Sequence, residues 1–474
     1  MIDRRDEQIA QLQAVVAAQQ EQIALLTAEV TRLRAEVASL REQLGRSSLN
    51  SSKQPSSDAP ADRAARAKRE PSGRKRGGQP GHGGHQRVLL PPEKVTRRRE
   101  CFPRRCRSCD VRLPHLADPE PLRHQVVELP EVAPDVTEYR LHRVTCACGE
   151  VTCAQLPKGV PRGMCGPRLS ALIALLTGNY HLSRREAATL LADVLGIDIS
   201  VGALSEVEER VSEVLAAAVD EALEHARRAR VKHVDATGWR QSGATRTLWT
   251  IATALVTVFA VTADATGATV RALVGALGGF LVSDRAGQFG YWAMNKRQVC
   301  WAHLVRKFVA FSQSAHPDAA RIGEGLLLFA QGLLHEWHRV RDGTLTRTAF
   351  RKNTRLSRTC IENLLARGQS LGLRGVSGAC KDILAHREAL WTFIDVRGIE
   401  PTNNHAEREL RGFVLWRKTS GGAQSERGSR FAERIMTVVH TLRKQHRPVL
   451  AHLTNAYKAA LRGQQTASLL PLNP

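Results

Sequence analysis

Apolar positions near the start of the chain recur with the period of a supercoiled helix. Ile9, Val16, Ile23, Val30 and Val37 fall on one register, and Leu12, Leu26, Leu33 and Leu40 fall three residues later, with Gln19 the polar exception. A 3.5-residue period makes a left-handed coiled coil, and β-branched residues at a with Leu at d favour a parallel dimer. Residues 1–46 are therefore expected to self-associate, the competing reading being an amphipathic helix packed on its own domain. The period stops at Gly45. Residues 47–99 follow as a basic flexible linker, Ser-rich over 47–57 and without apolar period through Arg74-Lys75-Arg76-Gly77-Gly78-Gln79-Pro80-Gly81-His82.

Further on, the pattern predicts a multi-domain α/β chain. Helical periodicity runs over 166–229, with Ser183 capping one helix, Gly196 ending it, and Ser200 or Ser205 starting the next. Helix, short turn, helix is the spacing of a helix-turn-helix DNA reader and also of many plain bundles, so 161–230 is assigned as helical with that role open. From Val231 the texture changes to strands. A short apolar strand, 231–235, ends in Asp235; runs at 247–255 and 256–261 follow, then a helix at 268–277 and a strand ending at Asp284. This order fits an RNase H-like core, 231–309, whose first and fourth strands bring carboxylates side by side. A helical insertion is expected over 310–400, a catalytic helix and second core part over 401–450, and a tail over 451–474.

Charge narrows the class of partner. The chain carries 69 Lys+Arg against 46 Asp+Glu, a formal +23, which favours a polyanion such as nucleic acid. About fifteen of these cations lie between Arg63 and Arg107, where a tether including Arg74, Lys75 and Arg76 can follow phosphates. No apolar run reaches the roughly 18 residues of a membrane helix, and the start lacks the apolar segment of a signal peptide. A cytoplasmic, nucleoid-associated protein is expected.

Ten cysteines are too few for a disulfide scaffold, and their clustering favours metal. Cys106-x-x-Cys109 and Cys146-x-Cys148 sit beside the turn-prone Asp110 and Gly149, and two such knuckles can share one tetrahedral Zn²⁺. Residues 100–160 are thus assigned as a zinc-binding DNA-binding module. Cys101, Cys153 and His142 are alternative ligands. Cys300-x-x-His303 is half a site by itself, and a structural role joining the insertion to the sheet is preferred.

Asp235 and Asp284 suggest metal-assisted chemistry on phosphodiesters. Two Mg²⁺ or Mn²⁺ ions can activate the attacking oxygen and stabilise the leaving one, and such ions need carboxylate oxygens. A third acid is required, and 400–408 opens a helix that offers Glu407 and Glu409, with Glu433 a further rival. Glu407 shares its helix face with Asn403, Asn404 and Arg411.

Here the sequence resembles the insertion sequence 66 family of bacterial transposases. The resemblance lies in V-D-x-T-G-W-R around Asp235, L-V-S-D-R around Asp284 and C-W-A-H-L-x-R-K-F from Cys300. It extends to Thr402-Asn403-Asn404-x-Ala406-Glu407-Arg408, Leu415-Trp416-Arg417-Lys418 and Glu433-Arg434-Ile435, and to the order of the N-terminal parts. It implies a DDE transposase with Asp235, Asp284 and Glu407 as metal-binding triad, and small accessory proteins as partners. Ala236 departs from the pattern, since many members carry an acid there. With that fold, Arg306, Lys307, Arg411, Arg417 and Lys418 would line the path of terminal-repeat and target DNA. Two other readings share these residues: an RNase H-like nuclease or resolvase without joining, and a non-catalytic zinc-containing DNA-binding regulator.

Overall fold

A computed structural model describes residues 3–44, 47, 50, 88–275 and 278–471. Arg74, Lys75 and Arg76 lie outside the described residues, as does most of the basic linker. Helix α1 (Asp3–Leu44) carries the heptad register, and Val16, Ile23, Leu26, Val30, Leu33 and Val37 are all exposed along it. From 88 to 164 no residue is buried, and the regular structure includes a short antiparallel hairpin of β1 (Arg143–Thr145) and β2 (Val151–Cys153).

The region expected to be helical throughout is broken twice. Helix α2 (Pro167–Ala174) ends in a widened turn over 175–179, α3 (Arg184–Leu195) follows, then α4 (Val201–Arg228). Ser183 and Glu186 form a reciprocal capping box, which satisfies two otherwise unpaired amides at the start of α3. Gly196 closes α3 in the left-handed conformation, at φ 63°, and Ser200, not Ser205, caps α4. Leu204, Val207, Val211, Leu215, Ala218 and Ala222 repeat every three or four residues and are buried along one face of α4.

Five strands follow: β3 (Val231–Gln241), β4 (Ala244–Ala252), β5 (Thr257–Thr262), β6 (Phe280–Ser283) and β7 (Arg297–Val299), with α5 (Gly267–Val274) between β5 and β6. Their order in the sheet is β5-β4-β3-β6-β7; β3–β4 and β4–β5 are antiparallel, whereas β3–β6 and β6–β7 are parallel. The expected end of β3 at Asp235 is corrected: the strand continues six residues, pairing Asp235 with Thr250 and Gln241 with Ala244. Ala236 and Gly238 weaken its strand signal, and the pairing comes from a tight hairpin. Ser242 and Gly243 turn it with φ of 49° and 79°, the positive pair a two-residue hairpin loop needs.

After β7 come α6 (Trp301–Ser312), α7 (Pro317–Arg341), α8 (Arg347–Ser370), α9 (Ser377–Ala385), α10 (Arg387–Leu390) and α11 (Thr392–Asp395). The chain then returns as α12 (Asn404–Ser420), α13 (Glu426–Lys444) and α14 (Val449–Leu461). The expected tail is instead part of the fold: Leu453, Ala456 and Tyr457 on α14, and Leu469 beyond it, are buried.

Two apolar cores meet at the sheet. One joins Val234, Trp249, Phe259 and Leu281 to α2–α4 and the C-terminal helices; the other joins Val282, Val299 and Trp301 to the insertion. Leu281 and Val282 are neighbours on β6 and fully buried in different cores, because successive strand side chains point to opposite faces. Truncating either to Ala would cost about 2–5 kcal/mol. Asp284 follows the end of β6, and Asp235 lies within β3 just past the stretch that pairs with β6.

Candidate active site

Strand register accounts for the first two acids. The parallel pairing of β3 with β6 sets His233 opposite Val282. Asp235 and Asp284 each lie two residues further along, so they share a level and a side of adjacent strands. One Asp235 oxygen accepts from the amide of Ala236 at 2.9 Å, and one Asp284 oxygen from that of Ala286 at 3.0 Å. Burial pushes the Asp235 carboxyl up to about 7; the Ala236 amide opposes this, and the charges of Glu407 and Asp284 add to it. Both other carboxylates thus bear on Asp235, which sits on the central strand.

Between Asp284 and Glu407 lie 122 residues, and the place of Glu407 is fixed by the residues that start α12. Asn403, 1% exposed, donates from its side chain to the Val234 carbonyl at 2.8 Å, one residue before Asp235. Its backbone N–H meets Cys300 Sγ at 3.1 Å. Its side-chain oxygen lies 3.2 Å from His233 Nδ1. Since the Asn403 amide group is already donating, that oxygen accepts and His233 carries its proton on Nδ1. Burial, then the neighbouring His405, depresses His233 to about 4, which keeps the ring neutral. Glu407 then sits in the first turn of α12, where the helix dipole favours an anion.

The Glu407 oxygens are held loosely. One lies 3.8 Å from His303 Nδ1 and the other 3.7 Å from Arg306 Nη2, both beyond hydrogen-bonding range. Glu407 Oε1 and His303 Nδ1 are buried with no hydrogen-bond partner. Burial, and then Arg306, lowers the His303 pKa. Burial also pushes the Cys300 thiol up to about 11. The converging like charges and the unpartnered oxygen fit a hard divalent cation, since Mg²⁺ and Mn²⁺ take oxygen ligands.

The rival acids are engaged elsewhere. Glu409 faces His440 at 2.6 Å, Lys444 at 3.3 Å and His405 at 3.6 Å. Burial alone would raise its carboxyl, but hydrogen bonds to both histidines and the Lys444 charge hold it far below the carboxylate range. Glu433 accepts from the Val261 amide of β5, and burial pushes it up to about 7.

The basic candidates fare unequally. Arg306 faces Glu407, Arg411 and Lys418 are exposed, and Lys307 lies over the Phe311 ring at 5.4 Å. Arg417 donates to the Gly238 carbonyl and, at 3.3 Å, to Thr237 Oγ1, so it pins α12 to β3. Sequence reasoning missed the clamp of Asn403 and His233. The one signal available for it was the Asn-Asn pair just ahead of Glu407.

Each cysteine pair forms a knuckle. Cys106 N donates to Val111 O at 2.9 Å and Asp110 turns with φ 56°; Cys146 N donates to Glu150 O at 2.8 Å and Gly149 turns with φ 88°. Amides of Cys109 and Ser108 lower the Cys106 thiol, and the amide and thiol of Cys148 lower Cys146. Thiols disposed toward thiolate at the tips of hairpins fit zinc. The structure does not gather the four sulfurs of Cys106, Cys109, Cys146 and Cys148 into one cluster; among the described residues the grouped donors are Cys300, His303 and Glu407. Both knuckles are exposed, and no buried apolar residue lies beneath them to press one on the other.

No helix among the described residues is long and apolar enough to cross a membrane. Residues 3–88 match a family of unknown function (DUF6444). No curated protein matches the chain. Residues 162–431 match the family model "Transposase IS66 family", a stretch of 270 of the 474 residues that takes in Asp235, Asp284, Glu407 and the whole helical insertion. The chain belongs to the IS66 family of transposases.

Proposed function

We propose that this transposase cuts DNA at the ends of an insertion sequence and joins the exposed 3′-hydroxyl to target DNA, with Asp235, Asp284 and Glu407 as its metal-binding carboxylates. What supports the reading is the parallel register of β3 and β6, which sets Asp235 and Asp284 on adjacent strands, with Glu407 brought beside them by the tie of Asn403 to the Val234 carbonyl. The β5-β4-β3-β6-β7 order, three antiparallel strands followed by two parallel ones, supports an RNase H-like core.

Asp235, on the central strand, would hold the ions together with Asp284 and Glu407. Two Mg²⁺ or Mn²⁺ ions, when bound, supply Lewis-acid stabilisation of the attacking and leaving oxygens. In joining, the 3′-oxygen bonds to a target phosphorus as the bond from that phosphorus to its own 3′-oxygen breaks. Asn403 holds Glu407 in register with β3, and Arg306 stands beside Glu407 where phosphate charge would gather.

Synapsis of two ends needs two subunits. The exposed a and d residues of α1 support a parallel coiled-coil dimer. The two knuckles and the basic segment before them would grip the element ends.

The test is a labelled, pre-cleaved element end incubated with plasmid and Mg²⁺, beside Asp284→Ala. Label joined to plasmid by the native chain alone is expected. Nicking without joining would convert the reading to a nuclease or resolvase; end binding with no chemistry in Mg²⁺ or Mn²⁺, and unaffected by Asp284→Ala, would leave a DNA-binding regulator.

A further inference from the structure

Helix α6 brings to the site two donors that Mg²⁺ chemistry has no use for. Cys300 is the last residue before α6 and His303 lies one turn in, on the same face. Their backbones are tied down: Cys300 N donates to Ser283 O at 2.9 Å, next to Asp284, and His303 N to Cys300 O at 3.2 Å. Cys300 Sγ, a ring nitrogen of His303 and a carboxylate oxygen of Glu407 all lie within 4.8 Å of one another. The spacing of Cys300 and His303 gave half a site; the fold adds the third donor.

We propose that Cys300, His303 and Glu407 bind a divalent cation of the zinc class, at a centre that shares Glu407 with the carboxylate site. Three observations support it. His303 Nδ1 and Glu407 Oε1 are buried, lack any hydrogen-bond partner, and lie 3.8 Å apart. Zinc–nitrogen and zinc–oxygen lengths of about 2.0–2.2 Å set such tetrahedral donors roughly 3.3–3.5 Å apart, so this pair needs to close by only a few tenths of an ångström. Cys300 Sγ accepts an N–H from Asn403, an orientation that suits a thiolate and leaves its other lone pairs for a metal.

The donor set decides the kind of ion. One sulfur, one imidazole nitrogen and one carboxylate oxygen form a borderline site, which favours Zn²⁺, Co²⁺ or Fe²⁺ over Mg²⁺. Three protein ligands leave a fourth position open. A cation held here takes an oxygen of Glu407 away from Asp235 and Asp284. Binding does not depend on the strand-transfer reading; only that consequence for catalysis does.

Co²⁺ is the probe, because thiolate ligation gives it a charge-transfer band. The full-length chain carrying Cys106→Ser, Cys109→Ser, Cys146→Ser and Cys148→Ser is loaded with Co²⁺, desalted and assayed for metal, for absorption and for melting temperature. One cobalt per chain with a thiolate band is expected, together with a raised melting temperature. Adding Cys300→Ser should abolish the band, and His303→Gln should weaken binding at least tenfold without disturbing the buried residue at 300. No retained cobalt, or a band and affinity unchanged by both substitutions, would overturn the site. Because the readout is metal and not joined DNA, a chain that fails to transfer strands still gives an answer.

Discussion

Glu407 and Glu409 are two residues apart on α12, so they leave the helix on different sides and meet different surroundings. On one side Glu407 keeps a buried oxygen without a partner, with His303 and Arg306 just out of reach. On the other, Glu409 is neutralised by His405, His440 and Lys444. The same carboxylate is satisfied by its neighbours in one place and keeps an unpartnered oxygen in the other. Burial alone does not separate the two roles; satisfaction does.

The largest effect should come from the side that keeps the unpartnered oxygen. Asp235→Asn, Asp284→Ala and Glu407→Gln are each expected to cut strand transfer by about a thousandfold or more, the scale of losing an electrostatic stabiliser of the transition state. Melting temperature should hold or rise for Asp235→Asn, since it removes a carboxylate that burial and two like charges disfavour. A matching collapse in thermal stability would mean these acids are structural.

Glu409→Gln should do the reverse. Leaving His440 and Lys444 without their anion is expected to cost about 3 kcal/mol in denaturant unfolding. Transfer per folded molecule should fall less than tenfold. A thousandfold loss at unchanged stability would exchange the roles of the two glutamates.

Glu433 sharpens the comparison through pH. Its folded pKa of about 7 lies above the ordinary 4.5, so the native state holds a proton that the unfolded state has released. Between those values this group's contribution to stability falls as pH rises. Glu433→Gln should therefore stabilise the protein above pH 7, by roughly 1–3 kcal/mol, and lose that advantage below pH 4.5. Parallel stability–pH curves for the two proteins would contradict the assignment.

The smallest effect concerns cations. Arg417→Ala should lower stability through the lost ties to Gly238 and Thr237. Lys418→Ala should leave stability alone and reduce the salt slope of DNA binding by about one. Equal salt slopes for the two variants would show that Arg417 also reaches phosphate.

Much of this was legible from pattern alone. The strand texture put Asp235 on β3 and Asp284 just after β6, because the apolar runs that make these strands are short-range signals. The far reach of β3 was not, since Ala236 and Gly238 are poor strand formers that only the hairpin pairing recruits. Nor was the choice among Glu407, Glu409 and Glu433: it depends on His440 and Lys444 of α13 and on the Val261 amide, all distant in sequence. For the same reason charge type gave no warning that Arg417 serves β3. The cysteine spacing gave each knuckle, but how two exposed knuckles meet is not written in either one.

The measurement that bears most directly on the comparison is Mn²⁺ binding, followed by loss of the free-ion signal in electron paramagnetic resonance. It should be run on the native chain, Glu407→Gln and Glu409→Gln, in a Cys300→Ser background so that the sulfur-containing set does not contribute. Native-like affinity in Glu409→Gln and at least a tenfold loss in Glu407→Gln is the expected result. Weakened binding in Glu409→Gln with Glu407→Gln unaffected would contradict the account.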